Sequence, residues 1–157
     1  MLDDSAAADP AARTPAPGGS TLSASSLRVE ITAVTEDVPV FRAALRAWLT
    51  ARHLLDSRGE DILLAVDEAV ANSVEHAYRD TTPGPVVLTA LTLAGTTTVR
   101  ISVADRGQWR TPTPEPSPVP LRGRGLRIIH AVADLVHIDR GTPTLPGTTT
   151  TAEFTTT

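Results

Sequence analysis

The sequence predicts an α/β (α+β) protein built as a two-layer sandwich, with a mixed, mainly antiparallel sheet covered by helices on one face. Three patterns lead there. Apolar and polar residues alternate over 27–33 and 97–104, the period of a strand with one buried side. Apolar residues recur every three or four positions in the stretches around Phe41–Leu49, Val66–Ser73 and Leu126–Ala133, the period of a helix packed along one stripe. Strands that arrive as hairpins favour antiparallel pairing with the helices gathered on one face.

Residues 1–26 are rich in Ala, Pro, Ser, Gly and Thr and hold almost no large apolar groups. Such a segment cannot bury enough surface to offset its chain entropy, so a disordered tail is expected there, with the domain over 27–157. Leu27, Val29, Ile31 and Ala33 are the inward set of a first strand. Thr35, Glu36 and Asp37 ahead of Pro39 make a helix start, the acidic groups being favoured by the helix dipole. Phe41, Leu45, Trp48 and Leu49 then line the buried face of a helix reaching about residue 54. A turn is expected over 56–59. The central helix follows over about 60–78, with Val66, Ala69, Val70 and Ser73 on one small or apolar face. The loop sequence of 80–85 leads to strands over 86–93 and 97–104, joined by Ala94-Gly95-Thr96. Prolines at 112, 114, 116, 118 and 120 exclude a helix or an inner strand from that stretch. A helix opens near Leu126 with Ile129, Val132, Ala133 and Val136 inward, and strands over 136–140 and 147–154 complete the chain.

The composition narrows the function. With 157 residues, 41% hydrophobic and 20% charged, one domain with a real core is expected. Aromatics make up only 3%, so Val, Leu, Ile and Ala must build that core. A net charge of −4 and the lack of a basic stripe give no electrostatic case for nucleic-acid binding. There is no cysteine, which excludes disulfides and thiolate metal sites. His53, His130 and His137 show no metal-ligand spacing. No apolar run reaches the ~20 residues that span a bilayer. The first residues lack the basic and apolar regions of a signal peptide, so a cytoplasmic location is expected. All 14 basic residues are Arg. Without lysine, neither a P-loop nor a protein-kinase catalytic lysine can exist here.

Four short patterns carry the chemistry. Glu68 and Asn72 are four apart on the central helix, stacked one turn above each other. A carboxylate and an amide so placed can hold one hard cation or one water, and Mg²⁺ uses few protein ligands. The same pair is also what an ordinary solvated helix face looks like. Asp105-x-Gly107 ends a strand with a carboxylate able to accept from an exocyclic amine, and with a glycine that leaves room for a flat ring. It is equally a turn closing a strand. Gly123-x-Gly125-Leu126 opens a helix with bare backbone N–H groups suited to phosphate, or simply ends a loop. Gly147-Thr148-Thr149 offers close approach and hydroxyls, or a turn into a strand.

Their order is more specific than any one of them. The segments AVDEAVANSVEHAY, VADRGQW and RGRGLRII, followed by Gly-Thr in the last strand, resemble the N, G1, G2 and G3 boxes of the GHKL (Bergerat-fold) ATP-binding family. Within it the chain is similar to anti-sigma-factor serine/threonine kinases of the RsbW kind, over roughly residues 27–157. The resemblance implies ATP and Mg²⁺ as cofactors, with Asn72 ligating Mg²⁺ and Glu68 as general base toward a Ser or Thr hydroxyl. It implies that Asp105 receives the adenine N6, with Gly107 beside the ring. Gly123, Gly125 and Leu126 would form the phosphate-binding turn, and Thr148 or Thr149 would support the adenine side. Arg122 and Arg124 would stand near the γ-phosphate. His76 lies one turn beyond Asn72. Two features depart from the family pattern: Trp109 stands where a second G1 glycine is common, and the lid over 110–121 is unusually rich in proline.

Three functions follow from that resemblance. The first is an ATP-dependent kinase that phosphorylates a STAS-type anti-sigma-factor antagonist and sequesters a sigma factor, with a homodimer as a further assembly and neither nucleic acid nor membrane as a direct partner. The second is a nucleotide-binding regulatory module that sequesters its partner with little or no transfer. The third, a detached catalytic domain of a sensor histidine kinase, is disfavoured because no helix with a phospho-accepting His precedes the domain.

Overall fold

The computed structural model describes residues 20–22, 26–108 and 124–156. Strands β1 (Ser20–Leu22) and β2 (Ser26–Thr32) come first, then a 3-10 turn at Thr35–Asp37 and helix α1 (Val38–Ala51). Helix α2 (Ser57–Asn72) follows and runs into a π turn, Ser73–Ala77. Strands β3 (Pro85–Thr92) and β4 (Thr98–Asp105), helix α3 (Arg124–Val132), and strands β5 (Leu135–Arg140) and β6 (Thr148–Thr155) complete the described chain. The sheet order is β1-β2-β3-β4-β6-β5. Each neighbouring pair is antiparallel. Among the described residues no helix is long and apolar enough to cross a membrane.

The core lies between one face of this sheet and the three helices. Leu27, Val29 and Ile31 of β2, Val86 and Leu88 of β3, Val99, Ile101 and Val103 of β4, and Ala152 and Phe154 of β6 are all buried. Phe41, Leu45, Trp48 and Leu49 of α1 meet them from above, as the helical spacing predicts, together with Ile62, Leu63, Val66 and Val70 of α2 and Ile129 of α3. The opposite face carries side chains that water or each other can satisfy. Arg100 pairs with Glu153 across β4 and β6 at 2.7 Å, and Ser102 meets Thr151 at 3.2 Å. The two-layer α+β sandwich is therefore the observed architecture.

Several elements differ from the expectation, each for a visible reason. The expected turn over 56–59 is instead the start of α2. Asp56 caps the helix, its Oδ1 accepting from Arg58 N at 3.0 Å and Gly59 N at 3.1 Å, so the first free N–H groups are satisfied. Glycine is required at 59 because a Cβ there would stand 2.2 Å from the Leu54 carbonyl oxygen. Helix α2 does not stay α-helical to residue 78: it widens into the π turn just after Asn72. Helix α3 ends at Val132, where Ala133 N donates to Ile129 O, and Val136 lies in β5. Ser20–Leu22 falls within the segment whose composition suggests a tail, yet pairs as β1 with Leu27–Val29 of β2. A backbone ladder needs no large side chains, so composition does not reveal it. Residues 1–19 and the proline-rich stretch 109–123 lie outside the described residues.

One side chain ties three elements together. Arg58, in the first turn of α2, donates from Nη1 to Val132 O at the end of α3 (2.6 Å) and from Nε to Thr155 O at the end of β6 (3.1 Å). Its guanidinium also pairs with Asp61 at 3.2 Å and with Asp134, and lies 5.3 Å from the centre of the Phe154 ring. The Asp134 carboxylate accepts from Thr155 N at 2.6 Å. That backbone bond and the Arg58 contact hold its pKa below the ordinary 3.8.

Arg58→Ala leaves two carbonyls without their charged donor and should cost about 1–3 kcal/mol in urea denaturation. A lowered folded-state pKa stabilises above the unfolded value and is lost as pH falls through the folded one. The wild type should therefore lose stability below pH ~3.8 more steeply than Asp134→Asn. Equal acid slopes in the two proteins would remove Asp134 from the clamp.

Candidate functional site

The site is built where the end of α2 meets the end of β4. Asp105 is the last residue of β4 and its side chain points to the helix layer, 5% exposed. A carboxylate buried this far needs partners. Its Oδ1 accepts from Gly107 N at 3.1 Å and from Thr148 N at 3.3 Å, and its Oδ2 accepts from Ser73 Oγ at 3.0 Å. One acidic group therefore joins the helix end, the loop after β4 and the first residue of β6.

The π turn presents the serine. Ser73 opens it and is 2% exposed, directly after Asn72. In the sequence it stands out only as a hydroxyl within an otherwise apolar stripe, and its bond to Asp105 is what the sequence reading missed. Glu68 and Asn72 are both half-buried on α2, away from the Val66, Ala69 and Val70 face, as their spacing predicts. His76 is half-buried in the π turn, 3.7 Å from Glu75 and 3.5 Å from Arg79.

Two glycines make the close approaches. At Gly107 a Cβ would fall 1.8 Å from the Ala77 carbonyl oxygen. The glycine is thus required by the packing of this loop against the π turn, a neighbour the ring-clearance reading did not include. At Gly147, φ is +149° and a Cβ would lie 2.6 Å from the Asp105 carbonyl oxygen. Both contacts draw the backbone in around Asp105.

Tyr78 closes the rim. Its hydroxyl donates to Pro85 O at 2.6 Å and accepts from Arg106 N at 2.9 Å. Its ring packs on Gly84, where a Cβ would come within 2.5 Å of Cε1. Burial pushes the phenol pKa above its ordinary 10.0. The negative charge of Asp105 adds to this, against the opposing Arg106 backbone bond and side-chain charge.

The register places the two threonines on opposite faces of the sheet. Thr148 pairs with Asp105 across the β4–β6 ladder and is buried on the helix side. Thr149 pairs with Ala104 and Asp139 and faces the other side of the sheet, away from Asp105. Thr150 returns to the inner face. There it lines a small apolar cavity with Ala65, Ala69, Val103 and Ile129. Leu126 is half-buried against the core from α3, and the backbone of Gly125 lies in the first turn of that helix. Gly123, Arg122 and Trp109 lie outside the described residues, and of Arg124 only the backbone is described. The arrangement thus offers a fixed buried acceptor, and an amide and a carboxylate on the adjoining helix.

A family model described as a histidine kinase-like ATPase domain matches residues 31–154. The crystal structure of the RsbU and RsbW domains of Rv1364c from Mycobacterium tuberculosis is 34% identical, with a TM-score of 0.59. That match covers 81% of this chain and 32% of the other. The histidine kinase domain of the blue-light activated histidine kinase EL346 from Erythrobacter litoralis is 25% identical with a TM-score of 0.47, over 62% of this chain and 44% of that one. The chain spans about a third of the length of the first and less than half of the second.

Tyr78 is the only tyrosine in the chain, so its titration can be read directly in the ultraviolet. The tyrosinate midpoint should lie above 10.0 in the folded protein. A raised folded-state pKa stabilises below the unfolded value, and the contribution is lost as pH rises through the folded one. Wild-type stability should therefore decline above pH ~10, and Tyr78→Phe should flatten that decline while costing about 1 kcal/mol for the lost hydrogen bonds. A midpoint at or below 10.0 would contradict the packing described for Tyr78.

Proposed function

This chain belongs to the histidine kinase-like ATPase domain family, and its fold is the RsbW-like form of the GHKL fold; from that premise we propose that it binds ATP with Mg²⁺, transfers the terminal phosphoryl group to a Ser or Thr of a STAS-type anti-sigma-factor antagonist, and sequesters a sigma factor. The observation that carries this reading is the Ser73–Asp105 bond. It ties Asp105, the carboxylate proposed for the purine side, to the residue directly after Asn72, the proposed Mg²⁺ ligand.

The residues fit such a ligand. Asp105 is held by donors from three elements, with Thr148 beside it, and is the acceptor proposed for an exocyclic amine. Asn72 offers one amide oxygen, and Mg²⁺ typically takes one or two protein ligands beside phosphate oxygens and water. Bound Mg·ATP supplies the phosphoryl group and neutralises its charge. Glu68, one turn before Asn72, accepts the proton of the attacking hydroxyl. As the new P–O bond forms at that oxygen, the bond to the departing ADP breaks and the electron pair leaves with ADP. Gly125 and Leu126 bring the start of α3 toward the phosphates through backbone N–H groups, and the same role is proposed for Gly123.

Isothermal calorimetry should detect ATP and ADP binding that weakens without Mg²⁺, and Asn72→Ala should remove most of that Mg²⁺ dependence. Glu68→Gln keeps the shape and removes the base. It should lower phosphorylation of a cognate antagonist by about 10²–10⁴-fold, with nucleotide affinity retained. A wild type that binds nucleotide and a sigma factor but phosphorylates nothing would favour the sequestering module, which the proline-rich sequence over 110–121 also supports. Equal transfer rates for wild type and Glu68→Gln would reduce Glu68 to a surface carboxylate.

A further inference from the structure

Strand β5 ends the sheet order, and among the described residues β6 is its one neighbouring strand. The ladder between them shows which backbone groups the other edge presents. Gly141 N donates to Gly147 O, one step beyond the Arg140–Thr148 pair. Hydrogen-bonded pairs alternate along an antiparallel ladder, so Asp139, His137 and Leu135 also exchange their bonds with β6. The N–H and C=O groups of Val136, Ile138 and Arg140 therefore point to the open edge. The pattern stops just before the strand, where Asp134 N turns inward and donates to Glu153 O at 2.9 Å.

Neither a proline nor a break in register blunts this edge between Leu135 and Arg140. Leu135, His137 and Asp139 lie on the sheet face away from the helices, opposite Glu153, Thr151 and Thr149. All three are exposed, Leu135 to 57%. Val136 and Ile138 are half-buried on the helix side. Among the described residues, none of His137, Asp139 and Arg140 has an ion-pair partner. The edge thus carries an imidazole and a carboxylate two positions apart on one face, a pattern that a reversed copy of the same strand complements.

We propose that β5 is the contact between two copies of this chain, pairing antiparallel with β5 of a second copy about a two-fold axis at Ile138. The outward backbone groups fix the register. Centred on Ile138, the pairing sets Val136 opposite Arg140 of the second copy and Ile138 opposite its own equivalent. Every outward N–H and C=O of the strand then finds a partner. Centred on His137, it would set Arg140 opposite Asp134, whose N–H is already spent on Glu153, and would bring the two imidazoles together. The Ile138 register instead puts His137 opposite Asp139 of the second copy in a non-hydrogen-bonded pair, where Cα atoms stand ~4.5 Å apart and side chains meet most closely. The two-fold axis makes that contact twice, and the two sheets run on as one with all helices on the same side.

The test is sedimentation equilibrium on the full chain. Wild type should dimerise with a dissociation constant of about 10⁻⁴ M, the weak end that so small an interface allows. Asp139→Arg sets a guanidinium against His137 of the second copy and should weaken the dimer by roughly fivefold or more. Asp139→Arg combined with His137→Asp exchanges the two charges and should restore it. Arg140→Pro removes an N–H that faces away from β6, so the strand should still form, as circular dichroism would confirm, while the dimer is lost. Amide exchange at Val136, Ile138 and Arg140 of the wild type should slow as its concentration rises, a reading that needs no variant to fold. A wild type that stays monomeric at ~1 mM overturns the proposal. So does a dimer that neither Asp139→Arg nor Arg140→Pro weakens, or amide exchange at those three residues that ignores concentration. Neither Glu68 nor Asn72 lies on β5, so these outcomes are independent of whether the chain transfers phosphate.

Discussion

The buried carboxylate of Asp105 is the constraint around which the site is arranged. A carboxyl group with 5% exposure is tolerated only where fixed hydrogen-bond partners replace its water. Here the donors come from Ser73 in the π turn, Gly107 in the loop after β4 and Thr148 in β6. Each arrives because the backbone comes unusually close. Gly107 lies against the Ala77 carbonyl, and Gly147 adopts a conformation that side-chain-bearing residues rarely accept. Removing any one of these would affect the other two, since they share one acceptor group.

The π turn belongs to the same arrangement. A single widened turn changes the direction of every later side chain on the helix, and such turns are frequent at functional sites. Here it begins directly after Asn72, so Glu68 and Asn72 keep regular α-helical spacing while Ser73 is turned to Asp105. Tyr78, just past the turn, fixes the helix end to Pro85 and Arg106 through one hydroxyl. The helix that carries the proposed catalytic pair is therefore held at its C-terminal end by the Ser73–Asp105 bond and by Tyr78. At its N-terminal end it is held by Arg58, whose bonds to Val132 and Thr155 bring in α3 and β6. A rigid helix between two anchored ends is the kind of support that positioning a phosphoryl group requires.

Much of this was legible in the chain itself. The alternation of Leu27, Val29 and Ile31, and of Val99, Ile101 and Val103, marks the inner face of the sheet, and those residues are buried. The spacing of Phe41, Leu45, Trp48 and Leu49 marks the buried face of α1. Glu68 and Asn72 do lie together on α2, and Asp105 does end a strand beside a glycine. These features were readable because periodicity and turn chemistry act over a few residues.

What the sequence by itself determined is therefore most of the helices and strands, the side that β2, β4 and α1 bury, and the candidate residues Glu68, Asn72, Asp105 and Gly107. Only the tertiary structure decided which groups meet. Strand register put Thr148 opposite Asp105 and turned Thr149 to the far face, a choice two adjacent identical residues cannot announce. The partner of Gly107 is a carbonyl 30 positions earlier, and Arg58 reaches an oxygen 97 positions later. The strand Ser20–Leu22 exists through backbone pairing, which composition does not encode. The physical reason is common to all of these. Local patterns record what a residue does with its immediate neighbours, whereas hydrogen bonds and close contacts between distant segments exist only once the sheet has set their relative position.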